Sequence, residues 1–127
     1  MNASTVTVMK SPIASKKLRA VFPEGGHVDF GAAGYSDYTL HGDAARMRNY
    51  VRRHGGIIPA TVERESSPSK IRAAMRRVIR SRNEKWGRNG MRTPGFWSRW
   101  LLWSEPSLAA AGRTTARALG RTVRILR

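Results

Sequence analysis

One short segment, Phe96-Trp97-Ser98-Arg99-Trp100-Leu101-Leu102-Trp103, sets the terms on which this chain can fold. It is the most apolar stretch and holds four of the ten aromatic residues in 127. A buried aromatic side chain removes about 150–250 Å² from water. At roughly 25 cal/mol per Å², three buried tryptophans contribute on the order of 10 kcal/mol before entropy is subtracted. That matches the whole net stability of a typical domain, about 5–15 kcal/mol. Trp97, Trp100 and Trp103 are therefore expected to be mainly core. Arg99 lies between two of them and is expected to point the other way, to solvent or to an acidic partner. The competing use of such a cluster is base stacking, which aromatics beside cations perform well.

The need for that core is sharpened by charge. Lys and Arg number 24 against 8 Asp and Glu, a net charge of +16, and hydrophobic residues are 40% of the chain. Such a chain repels itself and attracts polyanions: nucleic acid, an anionic membrane or an acidic protein face. Nineteen of the cations are Arg, whose planar fork fits phosphate and carboxylate and stacks on aromatic faces. There is no cysteine, hence no disulfide scaffold, thiolate metal site or thiol nucleophile. No apolar run is long enough for a transmembrane helix, and no secretory signal pattern opens the sequence.

Met1 to Ser15 reads as small, polar and without periodicity, a flexible tail ahead of a single basic domain, 16–127. Lys16-Lys17-Leu18-Arg19 is a basic strand end. Leu18, Ala20 and Phe22 alternate with polar positions, Pro23-Glu24-Gly25-Gly26 is turn chemistry, and His27-Val28-Asp29-Phe30 resumes the alternation: a β-hairpin. Gly31 to Thr39 reads as a compact loop. It lacks the Lys-Ser/Thr ending of a phosphate-binding P-loop.

Three amphipathic stretches follow. Asp43 caps a helix of Ala44 to about His54, with Met47, Tyr50 and Val51 on one face and Arg46, Arg48, Arg52 and Arg53 on the rest; Gly55-Gly56 ends it. A second helix starts near Ser67 or Ser69. Ile71, Ala74, Met75, Val78 and Ile79 form its apolar stripe, and Lys70, Arg72, Arg76, Arg77, Arg80 and Arg82 its basic sides. The third opens at Ser104-Glu105-Pro106. Leu108, Thr115, Leu119, Val123 and Leu126 form its apolar stripe, interrupted by Gly112 and Gly120, with Arg113, Arg117, Arg121 and Arg124 opposite. Three basic faces without compensating acids are the recurrent signal, and phosphate contacts of this kind give affinity without sequence preference.

Residues with catalytic chemistry are few. His41 and Asp43 flank Gly42, but no third ligand has metal-site spacing. Ser36, Asp37 and His41 are the residue types of a nucleophile set without a nucleophile elbow. Asp37 reads better as a turn residue whose carboxylate accepts backbone N–H groups.

Two motifs carry a family resemblance. Phe30-Gly31-Ala32-Ala33-Gly34-Tyr35-Ser36-Asp37-Tyr38-Thr39-Leu40-His41-Gly42-Asp43, followed by Arg46, Tyr50 and Arg53-His54, is the first. Thr93-Pro94-Gly95-Phe96-Trp97-Ser98-Arg99-Trp100-Leu101-Leu102-Trp103-Ser104-Glu105-Pro106-Ser107-Leu108 is the second. In this order they resemble a family of small basic proteins of large DNA viruses of algae and protists, one with no assigned reaction. Against its pattern, residues 55–82 look like an inserted basic helix, ahead of Asn83-Glu84-Lys85-Trp86. The resemblance implies a viral origin and a role in the virion, and it transfers no catalytic residue.

The expectation is thus a small α+β domain, an N-terminal hairpin packed by two or three helices around the Trp-rich segment. Its expected function is non-enzymatic: a virion-associated protein whose Arg-rich faces contact packaged nucleic acid, DNA first, or acidic faces of the inner capsid. The alternative is a nucleic-acid-binding accessory protein acting during infection. No cofactor, metal or small-molecule substrate is expected. The expected location is the virion, or host cytoplasm or nucleus at the site of assembly, without secretion.

Overall fold

A computed structural model of the chain describes residues 4–126. It is a small α+β domain: a four-stranded sheet packed by five helices around an aromatic core. The strands are β1 (Val6–Lys10), β2 (Lys16–Val21), β3 (His27–Ala32) and β4 (Val123–Ile125), in the order β3-β2-β1-β4. The first three are antiparallel neighbours, and β4 runs parallel to β1. The helices are α1 (Tyr38–His41), α2 (Ala44–Arg53), α3 (Pro68–Met75), α4 (Pro94–Trp97, continuing as a π-helical turn over Ser98–Leu102) and α5 (Leu108–Leu119).

The hairpin forms as its alternation requires. Leu18 faces Phe30 and Ala20 faces Val28 across β2 and β3, and Val6 and Val8 of β1 join them in the buried layer. The turn closes with Phe22 N–H donating to the Gly26 carbonyl at 3.1 Å, and Gly25 and Gly26 take positive φ. On the opposite face Arg19 lies across from Asp29 and grips it through Nε and Nη2 at 2.9 and 3.0 Å. Ser11 Oγ donates to the same carboxylate at 2.7 Å. These bonds, the Arg19 fork first, hold the Asp29 carboxyl down at about 2.

The N-terminal segment corrects the sequence reading. Residues 6–10 are not a tail but an inner strand, and Ser11–Ser15 is the turn into β2. Of the rest of that expectation, Ser4 and Thr5 lead into β1, and residues 1–3 lie outside the described residues. The missed signal is Thr5-Val6-Thr7-Val8, a period-two run of β-branched residues, which suits a pleated, half-buried surface.

The last helix is also shorter than its stripe suggested. It is capped by Ser107, whose Oγ accepts from Ala110 N–H at 3.2 Å, not by Ser104, which is buried with its hydroxyl donating to the Trp100 carbonyl. It stops at Gly120, which takes φ +72° and donates its N–H to the Ala116 carbonyl at 2.8 Å. A left-handed C-terminal glycine ends a helix because no Cβ opposes that conformation. Val123 and Ile125 then pair with β1 as strand residues, so Val123 and Leu126 do not extend the stripe. Gly112 is a point of close approach, since a Cβ there would meet Ile125 Cδ1 at 2.9 Å.

The Trp segment is the core. Trp97 and Trp100 are buried and Trp103 half-buried. Trp97 packs on Phe22, Phe30 and Phe96 with ring centroids 6.1, 5.9 and 5.4 Å away. Its Nε1 donates to the Met91 carbonyl at 2.7 Å, and Trp100 Nε1 to the Trp86 carbonyl at 2.8 Å, which satisfies the polar edge that a buried indole brings with it.

Arg99 overturns its expectation outright: it points inward and is 0% exposed. Its guanidinium lies over the rings of Trp100 and Trp86 at 4.4 and 5.2 Å. It donates to the carbonyls of Met75 (2.5 Å), Trp103 (2.9 Å) and Val78 (3.4 Å). Burial pulls its pKa down to about 10, so at neutral pH it stays charged. These bonds also explain why α3 ends at Met75 rather than running to Ile79. The Arg99 fork takes carbonyls at its C-terminal end, Arg77 and Val78 N–H turn back to Ala74 and Met75, and Ile79 is left 57% exposed.

Two outcomes are expected. Arg99→Met keeps the bulk and removes the donors to the Trp103 and Val78 carbonyls, at about 1–3 kcal/mol each, while the Met75 carbonyl keeps the Val78 N–H. It should lower the urea midpoint by the equivalent of about 2–4 kcal/mol, against no shift for Arg113→Met. The second concerns acid. A carboxyl held below its unfolded value of about 3.9 contributes stability that is complete above that value and lost as pH falls toward the folded one. Asp29→Asn should therefore flatten the decline in thermal midpoint between about pH 4 and pH 2.

Candidate functional site

All eight Asp and Glu side chains serve the fold. Asp29 is held by Arg19 and Ser11. Asp37 accepts from Lys17 Nζ at 2.6 Å, and Asp43 caps α2 by accepting from Ala45 and Arg46 N–H. Glu24 takes both Arg121 Nη atoms at 2.7 and 2.8 Å, and Arg121, the leading cause, holds the Glu24 carboxyl at about 2. Glu63 pairs with Arg52, and Glu65 accepts from Ser66 and Ser67 N–H. Glu84 bridges His54 Nδ1 (3.0 Å) and Trp86 Nε1 (2.8 Å). Buried Glu105 takes Arg76 Nε at 2.7 Å, Thr114 Oγ1 at 2.9 Å and, more distantly, Arg72 Nε at 3.7 Å.

The fourteen basic residues expected to bind nucleic acid divide accordingly. Arg52, Arg72, Arg76 and Arg121 are in internal ion pairs. Arg48 is half-buried, with Nη1 donating to the carbonyls of Val62 and Glu65 at 2.8 Å each. These five are structural cross-links. Arg46, Arg53, Lys70, Arg77, Arg80, Arg82, Arg113, Arg117 and Arg124 are exposed and pair with no carboxylate among the described residues. The faces are not three helical stripes. Arg77, Arg80 and Arg82 follow α3 on a segment tied back by a Gly56–Ser81 bridge, Arg113 and Arg117 lie on α5, and Arg124 is on β4.

The 31–37 loop, α2 and the Trp segment enclose a cleft of about 480 Å³. Lys16, Arg46 and Arg53 stand on its lining, with Tyr35, Ser36, Asp37, Glu84 and Ser98. Tyr50 and Trp103 also line it, stacked 4.5 Å apart and 4° from parallel, and His54 stacks on Tyr50 at 4.0 Å. Burial pushes the Tyr50 phenol above its usual range.

Ser36 and Asp37 reach this cleft, but His41 is not on its lining. The His41 ring packs toward Tyr38 and Trp103, and its Nδ1 accepts from Asp43 N–H at 2.9 Å. Burial, followed by the charge of Arg46, lowers its pKa. Asp37 is spent as the N-cap of α1, accepting from Thr39 N–H and Oγ1 at 2.9 and 2.5 Å. The three do not form a proton relay. Among the described residues, no three His, Cys, Asp or Glu side chains gather as a metal site, and no helix is long and apolar enough to cross a membrane. Sequence reasoning did not single out the Glu84–His54 pair or the Tyr50–Trp103 stack, since both join residues far apart in the chain.

A mixed four-stranded sheet with a buried-arginine core and a cation-lined cleft is the class these observations define. Residues 6–54, from β1 to the end of α2, match the model of a family of unknown function, DUF5754. No curated protein and no solved structure matches the chain.

Asp37→Ala should lower stability by about 1 kcal/mol or more, the usual cost of losing a helix cap. Asp37→Asn should recover the cap and leave only the deficit of the Lys17 pair. Thermal denaturation of the three proteins side by side checks both.

Proposed function

We propose that the protein is a sequence-tolerant nucleic-acid-binding protein that acts by electrostatic attachment rather than by catalysing a reaction. The observation that carries this reading is the disposal of the charges: all eight Asp and Glu side chains are occupied internally, while among the cations of the described residues Arg99 alone is fully buried, so nearly all of the +16 excess is expressed on the surface. Exposed guanidinium groups on α2, on the 76–82 segment, on α5 and on β4 can engage phosphates on several sides of so small a body. Duplex DNA is the favoured partner, because the cations are spread over separate faces and no single groove gathers them all. The two sequence motifs that resemble proteins of large DNA viruses support a setting in the virion, against the packaged genome or the inner capsid.

Binding to duplex DNA should be tight at low salt and indifferent to base sequence. The logarithm of the affinity should fall linearly with the logarithm of salt concentration, with a slope of roughly −0.9 per phosphate contacted. Replacing Arg77, Arg80 and Arg82 together by Ala should make that slope shallower by about 2–3. Fluorescence anisotropy on two unrelated duplexes measures all of this. An absence of binding at low salt, or a strong preference between the duplexes, would refute the proposal.

A further inference from the structure

The cleft beside the 31–37 loop has features that dispersed charge does not require. It is concave, and its volume of about 480 Å³ falls within the roughly 300–1,000 Å³ of small-molecule sites. Its lining is half polar chemistry and half ring and aliphatic surface. Lys16, Arg46 and Arg53 stand on it, exposed and without a carboxylate partner among the described residues. The two carboxylates on the lining are already engaged: Asp37 by Lys17 and Thr39, Glu84 by His54 and Trp86. Asp37 is balanced by Lys17, and Glu84 offsets at most one of the three remaining cations, so the lining keeps a net positive charge and favours an anion.

The aromatic groups narrow the choice of anion. Tyr35 lies on the lining yet is 73% exposed, which leaves its ring open to a planar partner. Tyr50 and Trp103 form a stacked wall already closed on itself, so they bound the site rather than receive a ring. Inorganic phosphate would use the cations and leave the aromatic side idle. An anionic protein side chain would lack a planar face of matching size.

We propose that this cleft is a binding site for a nucleoside phosphate, its phosphate held by Lys16, Arg46 and Arg53 and its base against Tyr35. The same chemistry is presented by a free nucleotide and by the 5′-terminal nucleotide of a single strand. The site shares Arg46 and Arg53 of α2 with the dispersed attachment proposed above, but saturable binding of a nucleotide does not require that attachment.

Isothermal titration of the full chain with deoxyadenosine 5′-monophosphate at low salt should show one saturable site. Its affinity should exceed that for inorganic phosphate or for deoxyadenosine alone. Tyr35→Ala, an exposed position, should weaken the nucleotide by roughly fivefold or more and leave phosphate unchanged. Arg46→Ala with Arg53→Ala should abolish saturable binding of both. Arg113→Ala with Arg124→Ala removes the same charge elsewhere and should leave nucleotide affinity intact. Comparing the mononucleotide with single-stranded oligonucleotides bearing a 5′-phosphate or a 5′-hydroxyl identifies the source: preference for the 5′-phosphorylated strand assigns a strand end, equal affinity assigns the free nucleotide. The inference is overturned if the nucleotide does not saturate, if Tyr35→Ala binds it normally, or if the two double variants lose it equally. Duplex binding measured on the same proteins keeps the two proposals apart, because failure of the dispersed attachment shows as loss of duplex affinity in the unaltered chain.

Discussion

The guanidinium of Arg99 holds together parts of the molecule that have little else in common. It sits on a π-helical turn between two core tryptophans, stacks on Trp100 and Trp86, and binds carbonyls at the end of α3 and at Trp103. Burying a charge is costly unless its hydrogen bonds are supplied in place. Here three carbonyls and two ring faces supply them, although Nε has no partner. A π-helical turn is uncommon and is retained where a side chain must be aimed. In this fold that side chain is Arg99, and its aim decides where α3 stops and how the 76–82 segment leaves it.

A second constraint follows from the scarcity of acids. Each carboxylate has an architectural duty: an N-cap at Asp37 and Asp43, a cross-strand grip at Asp29, a buried tie between α3 and α5 at Glu105. Glu24 and Arg121 pin the hairpin turn to the chain just beyond α5. The cationic surface is therefore a by-product of how the interior is built as well as of composition. Any added acid on that surface would be the first there without a structural task.

How much of this was legible depended on whether the signal was local. The β2–β3 hairpin, the Asp43 cap and the Met47-Tyr50-Val51 face of α2 follow from alternation, turn residues and helical spacing, and they stand as read. The Trp segment was legible as core because nothing else could supply the area. β1 was missed although Thr5-Val6-Thr7-Val8 alternates, because its surroundings are polar and short. The inward turn of Arg99 was illegible: a charged residue in an apolar run goes to solvent unless distant carbonyls wait for it, and those belong to Met75 and Val78. The cleft was illegible for the same reason. Its cations, rings and loop come from separate stretches that only the tertiary fold brings together.

The parallel pairing of β1 with β4 has a consequence for how the molecule is made. Val6 N–H donates to the Thr122 carbonyl and Leu126 N–H to the Val8 carbonyl, so β1 finds its second neighbour on the order of a hundred residues downstream. Contacts of such long sequence separation form late and slow the folding of the whole. As the chain leaves the ribosome, β1 can pair with β2 at once, but its other edge stays open until residues 123–125 emerge. An unpaired strand edge is a template for wrong partners. The many arginines already displayed by then give the nascent chains a common charge, and mutual repulsion is the protection available to that edge until β4 arrives.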